Sequence, residues 1–243
     1  MQNQSEPEPL GVAGTAIVFG IPGLVLWLAT RVCIPPLVSF GCHPLMAWFL
    51  AGGSLVFLPL FVAAMFAALG ERRARPEVTL ISRLRLHRMN TGDLIWAGAG
   101  LVFSLALMGV IASVAGSLWP SFHATPPFLE VQPLERGTYH LLLAWLPFFF
   151  FNIVGEELWW RGYLQPRHEV AFGKAAWVVQ ATFWTLFHVS FGWTIMLLTA
   201  PVLVIVPLVV QKRKNTWPGI LIHGGVNGLG FLAVTLGFLP GNL

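Results

Sequence analysis

Apolar residues run along this chain in long blocks separated by short polar stretches. About seven blocks approach the roughly 17 to 25 residues that a helix needs to cross the hydrocarbon core of a bilayer. The expected spans are 12–34, 45–69, 94–119, 139–165, 175–191, 193–210 and 217–239. The first is expected to close at Pro35, and the third to open after Thr91-Gly92-Asp93, with Asp93 capping the first orphan amides. Pro147, Pro201 and Pro207 fall inside spans, where proline kinks a helix unless neighbouring groups satisfy the freed carbonyls.

Composition strengthens that picture. The chain is 56% hydrophobic and 10% charged, and its mean hydropathy is +0.73; a soluble domain carries roughly a quarter charged residues. The expected fold is an all-α, polytopic transmembrane bundle of about seven or eight helices forming a single membrane domain over 1–243. Residues 1–11 form a short polar tail. Because that tail holds Glu6 and Glu8 and no Lys or Arg, it lacks the positive region of a cleavable signal peptide, and the first span should stay in the protein. Cys33 and Cys42 flank Pro35-Pro36; a disulfide is chemically open to them, although neither spacing nor size demands one.

Charge sets the orientation. Arg72, Arg73, Arg75, Arg83, Arg85 and Arg88 crowd the loop between the second and third spans, which marks it as cytoplasmic by the positive-inside rule. Arg167 with Lys174, and Lys212, Arg213 and Lys214, then fall on the same side. The amino terminus is accordingly expected in the cytoplasm, and the location is expected to be a bacterial inner (plasma) membrane. An eighth helix would break the alternation. Within the basic loop Leu80, Ile81, Leu84 and Leu86 interleave with Arg83, Arg85, His87 and Arg88, a pattern that fits either a segment lying on anionic headgroups or a solvated topogenic loop. The pI near 9.6 thus reports topology and the lipid bilayer as partner, and no nucleic-acid partner is expected.

Ionisable groups at membrane depth cost about 2.5 to 3.5 kcal/mol each on insertion scales, so each needs a reason. Glu156, Glu157 and Arg161 sit in GEELWWRGYLQPR; His188 ends FWTLFH; His223 and Asn227 belong to HGGVN. At 1.5 Å per residue, Glu156 lies about 15 Å from Gln165, His188 about 20 Å from Ala175, and His223 and Asn227 about 10 and 16 Å from Thr216. Three distant segments thereby bring acid, imidazole and amide groups to overlapping depths. Glu157 and Arg161 are spaced i,i+4 with the acid first, the favourable order for an intrahelical ion pair, while Glu156 points about 100° away toward a neighbouring helix. His223 and Asn227, again i,i+4, project from one face, and Gly224, Gly225 and Gly228 keep that helix slim.

Each residue alone has a plainer reading. Glu157 and Arg161 suit a topology-fixing pair at a helix end, and His188 suits a hydrogen-bonded packing residue. Trp159-Trp160 suits an interfacial belt, and Phe148 to Phe151 lipid or core contact. The convergence of Glu156, His188, His223 and Asn227 is what points to a site.

These residues resemble the CPBP (CAAX protease and bacteriocin-processing) intramembrane proteases, which include the eukaryotic Ras-converting CAAX endopeptidase. The family pattern EExxxR, FxxxH, HxxxN is similar to Glu156-Glu157 with Arg161, Trp184 with His188, and His223 with Asn227. Trp184 replaces the usual Phe, a departure expected to leave the chemistry untouched. The resemblance covers roughly the carboxyl-terminal half, with catalytic helices over 139–239, and implies a helical fold whose cavity opens toward the cytoplasm. It also implies an intramembrane endopeptidase acting on a membrane-embedded or lipid-anchored peptide or protein, prenylated or not.

Amide hydrolysis requires a nucleophile, an oxyanion stabiliser and a proton for the leaving amine. No Ser or Cys nucleophile with a partner base stands out, and HExxH is absent. The favoured expectation is a cofactor-free site in which Glu156 and His188 activate water and His223 and Asn227 bind the oxyanion, with Glu157, Arg161 and Trp184 in support. The alternative is zinc held by Glu156, His188 and His223. A reading from another class is a non-catalytic transporter, or an immunity or scaffold protein, although no repeated halves are evident.

Overall fold

A computed structural model describes residues 7–129 and 131–238. Glu6 of the expected tail and residue 239 of the last expected span lie outside the described residues. Among the described residues all regular structure is helical, and six segments are long and apolar enough to cross a membrane. They are α1 (Val12–Ser39), α2 (Pro44–Ala74), α4 (Thr91–Leu118), the 52-residue stretch His140–Phe191, α7 (Trp193–Arg213) and α8 (Trp217–Thr235); α3 is the single turn Leu80–Arg83. The 52-residue stretch breaks at Gly173, whose φ of +54° favours glycine, into α5 (residues 140–172) and α6 (Ala176–Phe187). The two halves run antiparallel: Gln180 Nε2 donates to the Trp160 carbonyl at 3.0 Å, and Trp184 Nε1 to Glu156 at 2.6 Å. Among the described residues seven passes result, as the hydrophobic blocks predict.

Two helix ends differ from expectation. Pro35 does not close α1, because a π turn at Ala29–Cys33 precedes Ile34–Ser39 and places both prolines in the first turn of that segment, where a missing N–H is tolerated. At the start of α4 the cap is Asn90, not Asp93. Asn90 Oδ1 accepts from the Asp93 N–H and Asp93 Oδ2 accepts from the Asn90 N–H, both at 3.0 Å, a reciprocal capping box. Cys33 and Cys42 are free thiols.

The basic segments gather at one end of the bundle. Arg85 makes a forked pair with Glu169, at 2.8 and 2.7 Å, and Lys214 joins the same carboxylate. Arg213 Nε lies 2.8 Å from Asp93 Oδ1. Arg83 and Arg167 both pair with Glu71, to which the Tyr163 hydroxyl donates at 2.9 Å. Leu84 is buried, and its carbonyl would lie 3.0 Å from a β-carbon on Gly162, so the loop lies directly on α5. Arg83 and Arg85 are therefore consumed by internal acids rather than facing headgroups, whereas Ile81 and Arg88 remain exposed. At the opposite end the Leu134 N–H donates to Thr235 O at 2.8 Å, and the rings of Trp119 and Trp193 meet edge to face.

Inside the bundle, association depends on close packing and polar links more than on hydrophobic transfer, since lipid tails are as apolar as the side chains. Gly155 supplies such a contact between α2 and α5; a β-carbon there would come 2.6 Å from the Phe57 carbonyl oxygen. Trp160, fully buried, stacks on Phe19 of α1 with centroids 4.0 Å apart. His168 ties three helices together: Nε2 bonds Thr15 Oγ1 at 2.9 Å and Nδ1 bonds Gln180 Nε2 at 2.8 Å.

Candidate active site

Glu156 sits between two π-helical turns of α5, Phe151–Gly155 and Glu157–Leu164. Such turns interrupt the regular i→i−4 ladder and recur at functional sites. Its carboxylate is buried and fully addressed by neutral donors. Asn152 Nδ2 donates to Oε1 at 3.0 Å, while two indoles, Trp160 and Trp184, donate to Oε2 at 3.2 and 2.6 Å.

Trp160 is thus no interfacial belt residue. Trp184, where the family pattern has Phe, makes its contact with Glu156 through an N–H that phenylalanine lacks. Arg161 lies over the Trp184 ring, 3.6 Å from its centroid, and within 3.6 Å of Glu157 Oε2; both charged groups are fully buried. The Glu157–Arg161 pair consequently belongs to the interior and not to a helix end.

Glu157 also reaches α8. Its Oε1 lies 3.1 Å from His223 Nδ1, and because a carboxylate accepts, Nδ1 carries the proton. His223 Nε2, left with its lone pair in the neutral ring, accepts from Asn227 Nδ2 at 3.2 Å, and that amide also reaches Asn152 Oδ1 at 3.4 Å. A continuous chain of polar contacts hence runs Glu157–His223–Asn227–Asn152–Glu156. Gly219 makes room for it: a β-carbon there would lie 2.6 Å from Glu157 Oε2.

His188 begins the 3₁₀ turn His188–Phe191 at the end of α6. Its Nδ1 donates to the Trp184 carbonyl at 2.8 Å, which leaves the Nε2 lone pair available in the neutral ring. His188, Glu156, His223 and Asn227 all line one cavity of about 790 Å³. The structure therefore brings the four sequence-selected residues to a common space. It adds Asn152, Trp160 and Gly219, of which Asn152 stands four residues before Glu156, a spacing that the sequence itself shows.

Among the described residues no three His, Cys, Asp or Glu side chains are grouped closely enough to hold a metal ion. The donors fit zinc poorly for a chemical reason as well. Both Glu156 oxygens accept N–H groups, and His223 has one nitrogen on Glu157 and the other on Asn227.

Among the described residues, seven helical passes surround a buried cluster of acid, imidazole and amide groups, the arrangement of a polytopic, integral membrane protein. Residues 138–229 match the family described as Rce1-like, Type II CAAX prenyl endopeptidase Rce1-like. The matched segment, less than half of the chain, contains Glu156, His188, His223 and Asn227 and is similar to that family. No curated protein and no solved structure matches the chain.

Proposed function

We propose that this protein hydrolyses a peptide bond of a membrane-held protein or peptide by activating water at Glu156. The observation that carries the reading is the three-donor setting of the Glu156 carboxylate at the wall of the cavity. Oε2 accepts from two indoles and Oε1 from Asn152 alone, so Oε1 has a lone pair to take a proton from water, and His188 Nε2 is the second acceptor at the cavity wall. Water attacks the carbonyl carbon, its proton passes to Glu156, and the resulting oxyanion requires donors.

Neutral His223 has its only N–H committed to Glu157, so Asn227 is the better oxyanion donor, exchanging its long 3.4 Å contact with Asn152 for the substrate oxygen. His223 in this reading fixes Asn227 and does not itself donate. Collapse of the intermediate breaks the C–N bond, and the amine takes its proton back from Glu156. The family name specifies prenylated CAAX substrates; the largely apolar cavity favours a lipidated or hydrophobic peptide within that class.

Purified protein in detergent should cleave a farnesylated fluorogenic CAAX peptide, and Glu156→Gln should abolish cleavage without lowering folded yield. Activity that survives in Glu156→Gln sinks the reading. The cofactor-free form predicts that a strong chelator followed by dialysis leaves the rate unchanged, whereas loss restored by added zinc supports the metal alternative.

A further inference from the structure

Behind Glu156 runs a second polar path, on the side of Trp160 away from the carboxylate. Trp160, whose indole donates to Glu156 Oε2 at 3.2 Å, lies in the π-helical turn Glu157–Leu164, and its carbonyl accepts from the Gln165 N–H at the end of that turn. The same carbonyl accepts from Gln180 Nε2 of α6 at 3.0 Å, and Gln180 is fully buried. A buried carboxamide costs free energy unless its donors are met. Gln180 Nε2 also lies 2.8 Å from His168 Nδ1, and His168 Nε2 lies 2.9 Å from Thr15 Oγ1 of α1, which donates to the Gly11 carbonyl at 2.9 Å.

Proton positions along this path follow from its inner end. A carbonyl only accepts, so the Trp160 oxygen fixes the Gln180 amide with its NH2 group inward. One N–H of that group meets Trp160 and the other meets His168 Nδ1, which is therefore an acceptor. The His168 proton then sits on Nε2 and goes to the Thr15 hydroxyl, whose own proton goes to Gly11. A proton on Nδ1 would set two donors against each other, and turning the amide over to relieve them would set Gln180 Oε1 against the Trp160 carbonyl.

Thr15 and Phe19 stand i,i+4 on α1, and Phe19 stacks on the Trp160 ring with centroids 4.0 Å apart and planes at 11°. Helix α1 thus addresses Trp160 twice, its ring directly and its backbone by way of His168 and Gln180. We propose that Gln180 is a positioning residue for Glu156: it holds the Trp160 backbone so that the indole N–H stays on Oε2, with His168 and Thr15 setting the orientation of its amide. The proposal rests on the reading of Glu156 as the group that activates water. It couples α1, which lies outside the matched segment 138–229, to the candidate catalytic acid.

The test uses the full chain in detergent and the farnesylated CAAX peptide, with Gln180→Met, Trp160→Phe and the double variant. Methionine keeps the length of glutamine and deletes the donor. Gln180→Met should lower kcat about two- to tenfold, the range for one neutral hydrogen bond, with KM nearly unchanged. In the Trp160→Phe background it should lower kcat no further, because no indole N–H remains to be placed. Losses that add in full, or a change in KM alone, overturn the proposal. Thr15→Val serves where Gln180→Met fails to fold, with a smaller loss that also vanishes in Trp160→Phe. A second measurement needs no turnover: in protein with tryptophan isotope-labelled at the indole nitrogen, the Trp160 N–H resonance, assigned by its absence from Trp160→Phe, should move in Gln180→Met. A residue that only stabilises the bundle would leave that resonance in place, and an unmoved resonance overturns the proposal. Failure of the catalytic reading shows separately, as cleavage that survives Glu156→Gln.

Discussion

Trp184 donates its indole N–H to Glu156 Oε2 at 2.6 Å while Arg161 rests on the face of the same ring, 3.6 Å from its centroid. Arg161 and Glu156 thus meet on one indole, the cation at its face and the carboxylate at its N–H edge. The side chain with which this protein departs from the family pattern is thus a direct partner of its candidate catalytic acid.

Trp184→Phe keeps the ring under Arg161 and deletes the donor. Hydrogen bonds to charged groups contribute roughly 1.5 to 3 kcal/mol, so kcat should fall about ten- to a hundredfold with folded yield preserved. Turnover of the detergent-solubilised enzyme measures this, and an unchanged kcat would remove Trp184 from the site.

Asn152→Ala removes both the donor to Glu156 Oε1 and the acceptor for Asn227. The expected result is a lower kcat with KM nearly unchanged, because the lost contacts serve the reacting groups and not substrate binding. A rise in KM alone would place Asn152 with the binding surface instead.

Gly219→Ala pushes a methyl group into the space beside Glu157 Oε2. Overpacking of this kind costs about 1 to 3 kcal/mol. Thermal unfolding in detergent should shift down, and cleavage should drop further than the stability loss alone explains, because His223 is oriented by Glu157.

Arg85→Ala breaks the forked pair that binds loop 75–90 to Glu169. With a charged acceptor the loss is about 1 to 3 kcal/mol. Limited trypsin digestion should cut within 75–90 faster than in the parent protein, and equal rates would mean that the remaining ion pairs suffice to hold the loop.

Much of this site was legible from spacing along single helices. The i,i+4 pairs Glu157–Arg161 and His223–Asn227, and the common depth of Glu156, His188 and His223, need only helix geometry and the cost of polarity in lipid. Contacts that depend on side-chain detail were hidden. Trp160 reads as a membrane-interface aromatic until its N–H is seen on Glu156, and Trp184 passes for a phenylalanine in any hydrophobic pattern. Arg83 and Arg85 look topogenic because Glu71, close to them in sequence, and Glu169, far away, meet them only after the helices assemble.

The π turn at Phe151–Gly155 carries a lesson for anyone altering this helix. Each α-helical residue advances the side chains by about 100°, and the wider turn acts as a phase adjuster for all that follows. Removing one residue within 151–155 should let the turn tighten to the α-helical repeat with Glu156 and Arg161 held in place. The two adjacent carboxylates would keep their separate partners, Trp184 and His223, because the slack lies before them in the helix.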